Sequence, residues 1–181
     1  FADTSSGYGD THDSGWMSTT NCISGTCLKF DGTDDYVNCG NNNSLNFADK
    51  KMTLSIWVKA EDIDSWQQLI NKGWSSNGAH LLALYNAGAT LQMRNSDGTL
   101  YSTTYSNIII INYWYNIAGV YDDLDKSLRI YVNGVKASSD GTATGTMLTS
   151  TSNTYIGINS TATFNGLIDD VRIYNQALSF S

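Results

Sequence analysis

Short runs of β-branched and aromatic residues, closed by Gly, Asn or Asp, recur every 10–15 residues from Cys27 to Asn175. This recurrence constrains the fold more than any other feature, because no regular helix fits between turns spaced so closely. The runs are CLKFDG (27–32), DYVNCG (35–40), TLSIWVKA (53–60), QQLINKG (67–73), HLLALYN (80–86), TLQMRN (90–95), LYSTTY (100–105), NYWYNIAGVYD (112–122), LRIYVNGVKA (128–137), TSNTYIGI (151–158) and GLIDDVRIYN (166–175). In 53–60, Leu54, Ile56 and Val58 alternate with Ser55, Trp57 and Lys59, as a strand with one buried face requires. LRIYVNGVKA reads as two strands around Asn133-Gly134, the preferred dipeptide of a type I′ hairpin. Glu occurs once and Gly and Asn interrupt each window of helical period, leaving at most short turns around 43–47 and 176–181. The expectation is an all-β, antiparallel sandwich forming a single domain over residues 1–181.

A net charge of −7 and only 15% charged residues disfavour nucleic acid and anionic membranes as partners. No apolar run approaches the roughly 18 residues that a membrane-spanning helix needs. The chain begins at Phe1 and reads as a mature form or a piece of a longer protein. Cys22 and Cys27 flank ISGT, and a disulfide across that four-residue gap is feasible, the alternative being two reduced thiols. The bridge is the expectation and suits an exported protein, which leaves Cys39 as a buried free thiol.

The ordered set LKFDGTDDYVNCGNNNSLNF, MTLSIWVKA, LINKG, YWYNIAGVYD, LRIYVNGV, IGI and NGLIDDVRIYNQALS resembles the concanavalin A-like lectin/glucanase superfamily. The nearest likeness is to its laminin-G-like jelly-roll domains, and it covers residues 3 to 179. The resemblance implies a jelly roll. It constrains function less, since the fold carries lectins, carbohydrate-binding modules, adhesion domains and glycanases. By the same likeness, the first strand of the domain is missing or reduced to Phe1-Ala2.

Asp169 sits inside the apolar strand 166–175, where regular alternation places it with Val171 and Ile173 on the core face. A carboxylate aimed inward needs a partner. Laminarinase-like members of the superfamily have a similar Asp-x-Val-Arg pattern whose Asp holds a structural calcium. The resemblance therefore implies a calcium bound by Asp169 together with Asp3, Asp31 and the carbonyl of Gly32. The alternative is that Asp169 accepts backbone N–H bonds or pairs with Arg172 or Arg129. Asp170 is expected on the opposite face, in solvent.

Glycanases on this fold carry Glu-x-Asp-x-x-Glu or Glu-x-Asp-x-Glu on one strand. Here Glu61 stands alone in KAEDIDSW and reads as part of a polar connector. A lyase would want a base beside Arg or Lys, but His80 and Tyr85 point to opposite faces of 80–86. No catalytic residues are expected. By the resemblance, Trp57 falls where the family has a Trp and is expected to pack in the core, and Trp114 is expected to be structural. Trp66 and Trp74 fall in loops, where a large aromatic suits sugar stacking. His80, Tyr85, Arg94 and Asp97 are candidate polar contacts beside them, and Tyr101 with Tyr105 a further platform. The expectation is a non-catalytic, secreted or cell-surface module that binds polysaccharide or glycan. The alternative is an adhesion or spacer domain contacting other surface proteins.

Overall fold

The computed structural model describes residues 2–3, 15–47, 51–73, 78–159 and 162–179. In chain order the strands are β1 (Ala2–Asp3), β2 (Gly15–Met17), β3 (Cys27–Asp31), β4 (Val37–Gly40), β5 (Lys51–Ala60), β6 (Gln67–Lys72), β7 (His80–Tyr85), β8 (Gly88–Arg94) and β9 (Leu100–Tyr105). They continue as β10 (Tyr115–Asp122), β11 (Ser127–Val132), β12 (Val135–Lys136), β13 (Gly141–Thr142), β14 (Thr154–Ile156), β15 (Ile158–Asn159), β16 (Ala162–Thr163) and β17 (Asn165–Tyr174). The first sheet has the order β1-β4-β14-β6-β7-β8-β9. The second runs β12-β11-β10-β5-β17-β3-β2, with β13 beside β11. All described strand pairs are antiparallel, and β15–β16 forms a separate small hairpin.

The expected strands thus appear, within a few residues, and the two sheets face each other as a jelly-roll sandwich. The alternation of β5 explains why. Met52, Leu54, Ile56, Val58 and Ala60 are fully buried, and they meet Leu82, Leu84, Leu91 and Met93 of the first sheet in one core. Each such aliphatic side chain contributes roughly 1.5–3 kcal/mol by leaving water. Gly119 on β10 lets the sheets come this close: a Cβ there would lie 2.8 Å from Leu91 Cδ1. The Asn133-Gly134 turn has φ of 50° and 77°, as type I′ requires. Of the expected short turns, 43–47 contains a 3-10 turn at Asn43–Leu45, with Asn42 accepting from Ser44 N.

Strand β17 departs from regular alternation. Its register with β5 shifts between Asp169 and Arg172, and Asp170 has φ of 45°. This is a β-bulge, which adds a residue to one strand and resets its faces. Ile168, Val171 and Ile173 all pack in or against the core. Asp169 instead lies across from Trp57 on the outer face of the second sheet. The expectation that Asp169 shares a face with Val171 and Ile173 is therefore wrong, because one left-handed residue intervenes. Asp170 is half-buried rather than free in solvent, with its Oδ1 2.8 Å from Arg172 Nε.

Candidate functional site

The outer face of the first sheet gathers the expected ligand contacts that the structure brings together. Tyr85 ends β7 on the face opposite Leu82 and Leu84, and the β6–β7 register sets Trp66 across from it. Their ring centroids are 5.1 Å apart at 51°, Trp66 half-buried and Tyr85 45% exposed. The adjoining hairpin turn, Asn86-Ala87, has φ of 48° and 56° and carries the chain into β8. Gln68 pairs with Ala83 on this same face. Gln92 pairs with Leu81, and Arg94 follows two residues later, so both also point outward.

Among the described residues, three buried polar atoms on this face have no hydrogen-bond partner: Gln68 Oε1, Gln92 Oε1 and Arg94 Nε. A buried group without a partner loses about 1–3 kcal/mol, so such groups are scarce in folded proteins. Arg94 is held at its other end by a 2.7 Å bond from its guanidinium to Gly98 O. Asp97 lies in the same turn, at the rim. The Thr99 hydroxyl and amide bond its carboxylate and pull its pKa below the ordinary value. The β15–β16 hairpin leans on this sheet, tied by Asn71 Nδ2 donating to Ile158 O.

Two expected contacts fall elsewhere or outside view. His80 alternates with Tyr85 and points into the sandwich, 4% exposed and 5.0 Å from the Phe47 ring. Burial, reinforced by the neighbouring Lys72 charge, drives its pKa down to about 3. It is a neutral core histidine and touches no outer-face ligand. Trp74 lies outside the described residues. Tyr101 and Tyr105 pack against the core and form no outer platform. Gln68 and Gln92 were not foreseen, although alternation with Arg94 could have placed Gln92 beside it.

The expected calcium ligands divide into two groups. Asp31, Asp34 and Asp35 bring carboxylate oxygens within 4.8 Å of one another in the turn after β3. Asp31 Oδ1 accepts from Thr33 N at 2.7 Å, and Asp35 Oδ2 from Asp31 N at 2.9 Å. The backbone of Asp3 pairs with Val37 next to this turn. The Gly32 carbonyl is engaged by the Thr163 hydroxyl. Asp169 is not part of this group. Since Asn165 pairs with Asp31 and Ile168 with Leu28, Asp169 sits about four residues, roughly 13 Å, further along the strands. A single ion cannot reach both carboxylates.

Asp169 is 8% exposed and has its own partners. Its Oδ2 accepts from Ile23 N at 2.8 Å and Ser24 N at 2.9 Å, and its Oδ1 accepts from Asp170 N at 2.7 Å. Ile23 and Ser24 belong to the short loop closed by the Cys22–Cys27 disulfide, which the structure contains as expected. Cys39 is a half-buried free thiol whose pKa desolvation raises. Arg129 is committed to Asp125, not to Asp169. Asp169 thus follows the alternative reading, a carboxylate that collects backbone N–H groups.

Comparison with known proteins agrees with this architecture. The Ruminococcus gnavus IT-sialidase CBM40, solved with alpha2,3 sialyllactose, is 16% identical with a TM-score of 0.69, over 84% of this chain and 91% of that one. Domain 4 of AbnA, a GH43 extracellular arabinanase from Geobacillus stearothermophilus in complex with arabinotriose, is 20% identical with a TM-score of 0.70, over 94% and 79%. The binding domain of Paraclostridial Mosquitocidal Protein 1 reaches a TM-score of 0.74 at 17% identity over 92% of this chain, which spans only 43% of that domain. At such identities the likeness is one of fold. No curated protein sequence matches the chain. A laminin-G-type family profile, described as the concanavalin A-like lectin/glucanases superfamily, matches residues 31–181, and the chain belongs to that superfamily.

Proposed function

We propose that this domain is a non-catalytic, extracellular glycan-binding module whose site is the outer face of the first sheet. One observation carries the reading: the Trp66–Tyr85 pair shares that face with partnerless polar atoms of Gln68, Gln92 and Arg94. Aromatic faces stack on the apolar side of a pyranose, while amides and a guanidinium read its hydroxyls. The similar folds solved with sialyllactose and arabinotriose support a sugar as the ligand class. The disulfide supports an oxidising, extracellular setting. Among the described residues no helix is long and apolar enough to cross a membrane. A binding rather than catalytic role is supported by the lone Glu61 and by Asp62, whose carboxylate is spent on Asp64 N and Ser65 Oγ.

The test is an immobilised glycan panel, with Trp66→Ala compared against the parent. Trp66→Ala is expected to weaken the best hit about tenfold, the loss of one stacking contact, with the melting temperature nearly unchanged because the ring is half-exposed. Undiminished binding by Trp66→Ala would move the site off this face. A folded sample that binds nothing on the panel would favour the adhesion or spacer reading.

Calcium belongs to the same proposal, at the turn after β3. The donors of Asp31, Asp34 and Asp35 are hard oxygens at a spacing two ligands of one calcium can have, with Asp3 close by along the chain's edge strand. Bound there, calcium would tie the turn together as scaffold. Millimolar calcium is expected to raise the melting temperature, with a gain of about 3 kcal/mol if the ion stands at a hundred times its Kd. Asp34→Asn, at an exposed position, should remove most of that gain. Identical melts in calcium and in chelator would end the calcium reading.

A further inference from the structure

The outer face of the second sheet carries a cleft of about 430 Å³ lined by Trp57, Trp114, Asn116, Asn133 and Gly134. That volume lies within the range of small-molecule sites. Its residues come from three parts of the chain that the sheet aligns. Trp57 on β5 stands directly opposite Asn116 on β10. Trp114 precedes Asn116 by two residues, and Asn133 opens the type I′ turn after β11.

Hydrogen bonds fix the amides and one ring while leaving a recognition surface. Asn133 Oδ1 accepts from Asn116 N at 2.9 Å, and Asn116 Nδ2 donates to Ser55 Oγ at 3.4 Å. Asn133 Nδ2 and Asn116 Oδ1 have no partner among the described residues, which leaves one donor and one acceptor at the cleft. Trp114 Nε1 donates to Asn21 O at 3.2 Å, so its polar edge is satisfied by the segment entering the disulfide loop and its ring is oriented. The same loop is anchored on its far side by Asp169, the cross-strand neighbour of Trp57. The segment 21–24 is thus tied at Asn21 to Trp114 and at Ile23 and Ser24 to the cross-strand neighbour of Trp57. Both Trp side chains remain half-exposed, so Trp57, contrary to expectation, does not pack in the core, because its strand position alternates with the buried Ile56 and Val58.

We propose that this cleft is a second ligand site, taking one ring of a neutral glycan. Two indoles offer apolar surface, and one amide donor with one amide acceptor suits adjacent hydroxyls. None of the five lining residues is charged, and the chain carries a net charge of −7, which disfavours an acidic sugar. The site extends the glycan-binding reading, yet it lies on the opposite sheet and does not require the Trp66–Tyr85 face.

The test follows the five Trp indole N–H signals by NMR, assigned by single Trp→Phe substitution, in the intact domain. Arabinotriose and cellotetraose serve as neutral probes and sialyllactose as the acidic one, each up to about 10 mM, enough to register millimolar sites. With at least one neutral probe, the Trp57 and Trp114 signals are expected to shift in the parent and equally in Trp66→Ala. Asn133→Gly, which keeps the positive φ of the turn but removes the amide, should weaken this site about tenfold. Shifts of Trp57 and Trp114 that vanish in Trp66→Ala, that appear only with sialyllactose, or that are unaltered in Asn133→Gly would overturn the second site. So would their absence with all probes. Movement of Trp57 and Trp114 without Trp66 would sustain the second site while removing the first.

Discussion

Asp169→Ala is expected to lower the unfolding free energy by about 3 kcal/mol in urea titration at pH 7. The carboxylate accepts two backbone N–H groups from the disulfide loop and one from its own bulge, all partly buried. Bonds to a charged acceptor contribute roughly 1.5–3 kcal/mol each, and removing the acceptor leaves the donors stranded. Asp169→Asn keeps one oxygen and should lose about half as much. Opening the Cys22–Cys27 bridge should cost about 2 kcal/mol, the chain-entropy value for so short a loop. The two losses should not add. Once the bridge is open the loop is free to leave, and Asp169 then holds less. A double-mutant cycle with Asp169→Ala and the Cys22→Ser, Cys27→Ser pair measures this coupling. Strict additivity would mean that Asp169 does not hold the loop.

Acidification should destabilise the domain chiefly through His80. Its pKa in the fold is about 3, against an ordinary value of 6.5, because burial disfavours the imidazolium and the Lys72 ammonium repels it. Above pH 6.5 the ring is neutral folded and unfolded, and the fold loses nothing. As pH falls from 6.5 towards 3, the unfolded chain gains a proton that the folded chain refuses, so stability declines by up to about 1.4 kcal/mol per pH unit. Between pH 7 and pH 4 the His80 share amounts to about 3 kcal/mol. Lys72 cannot move away: it is fully buried, with Nζ held by Asn41 Oδ1 at 2.8 Å and Ser152 O at 3.0 Å. His80→Phe retains an aromatic ring against Phe47 and should flatten the stability profile over this range by that amount. Urea midpoints of both proteins at pH 4 and pH 7 measure it, and parallel profiles would show that His80 titrates normally.

What the sequence determined by itself is what depends on neighbours along the chain. Alternation in β5 sorts five apolar side chains inward, and Asn133-Gly134 dictates its hairpin because few residues tolerate two positive φ angles. Alternation also set His80 on one face with Leu82 and Leu84, but that this is the core face, and that His80 is therefore no ligand contact, was decided by packing against Phe47. The Cys22–Cys27 bridge was also readable, since its ends are held close by the chain. Tertiary structure decided everything that depends on contacts between distant segments. The bulge at Asp170 turned Asp169 to the outer face, where the amides of Ile23 and Ser24, 146 and 145 positions away, receive it. The β6–β7 and β7–β8 registers set Trp66 against Tyr85 and placed Gln68, Gln92 and Arg94 on the same outer face, and the β5–β10 register with the Asn116–Asn133 bond joined Trp57, Trp114 and Asn133 into a cleft. Periodicity tells which side of a strand a residue takes, but a single left-handed residue reverses that side. Which side chains then meet across a sheet is set by packing among segments that the sequence keeps far apart.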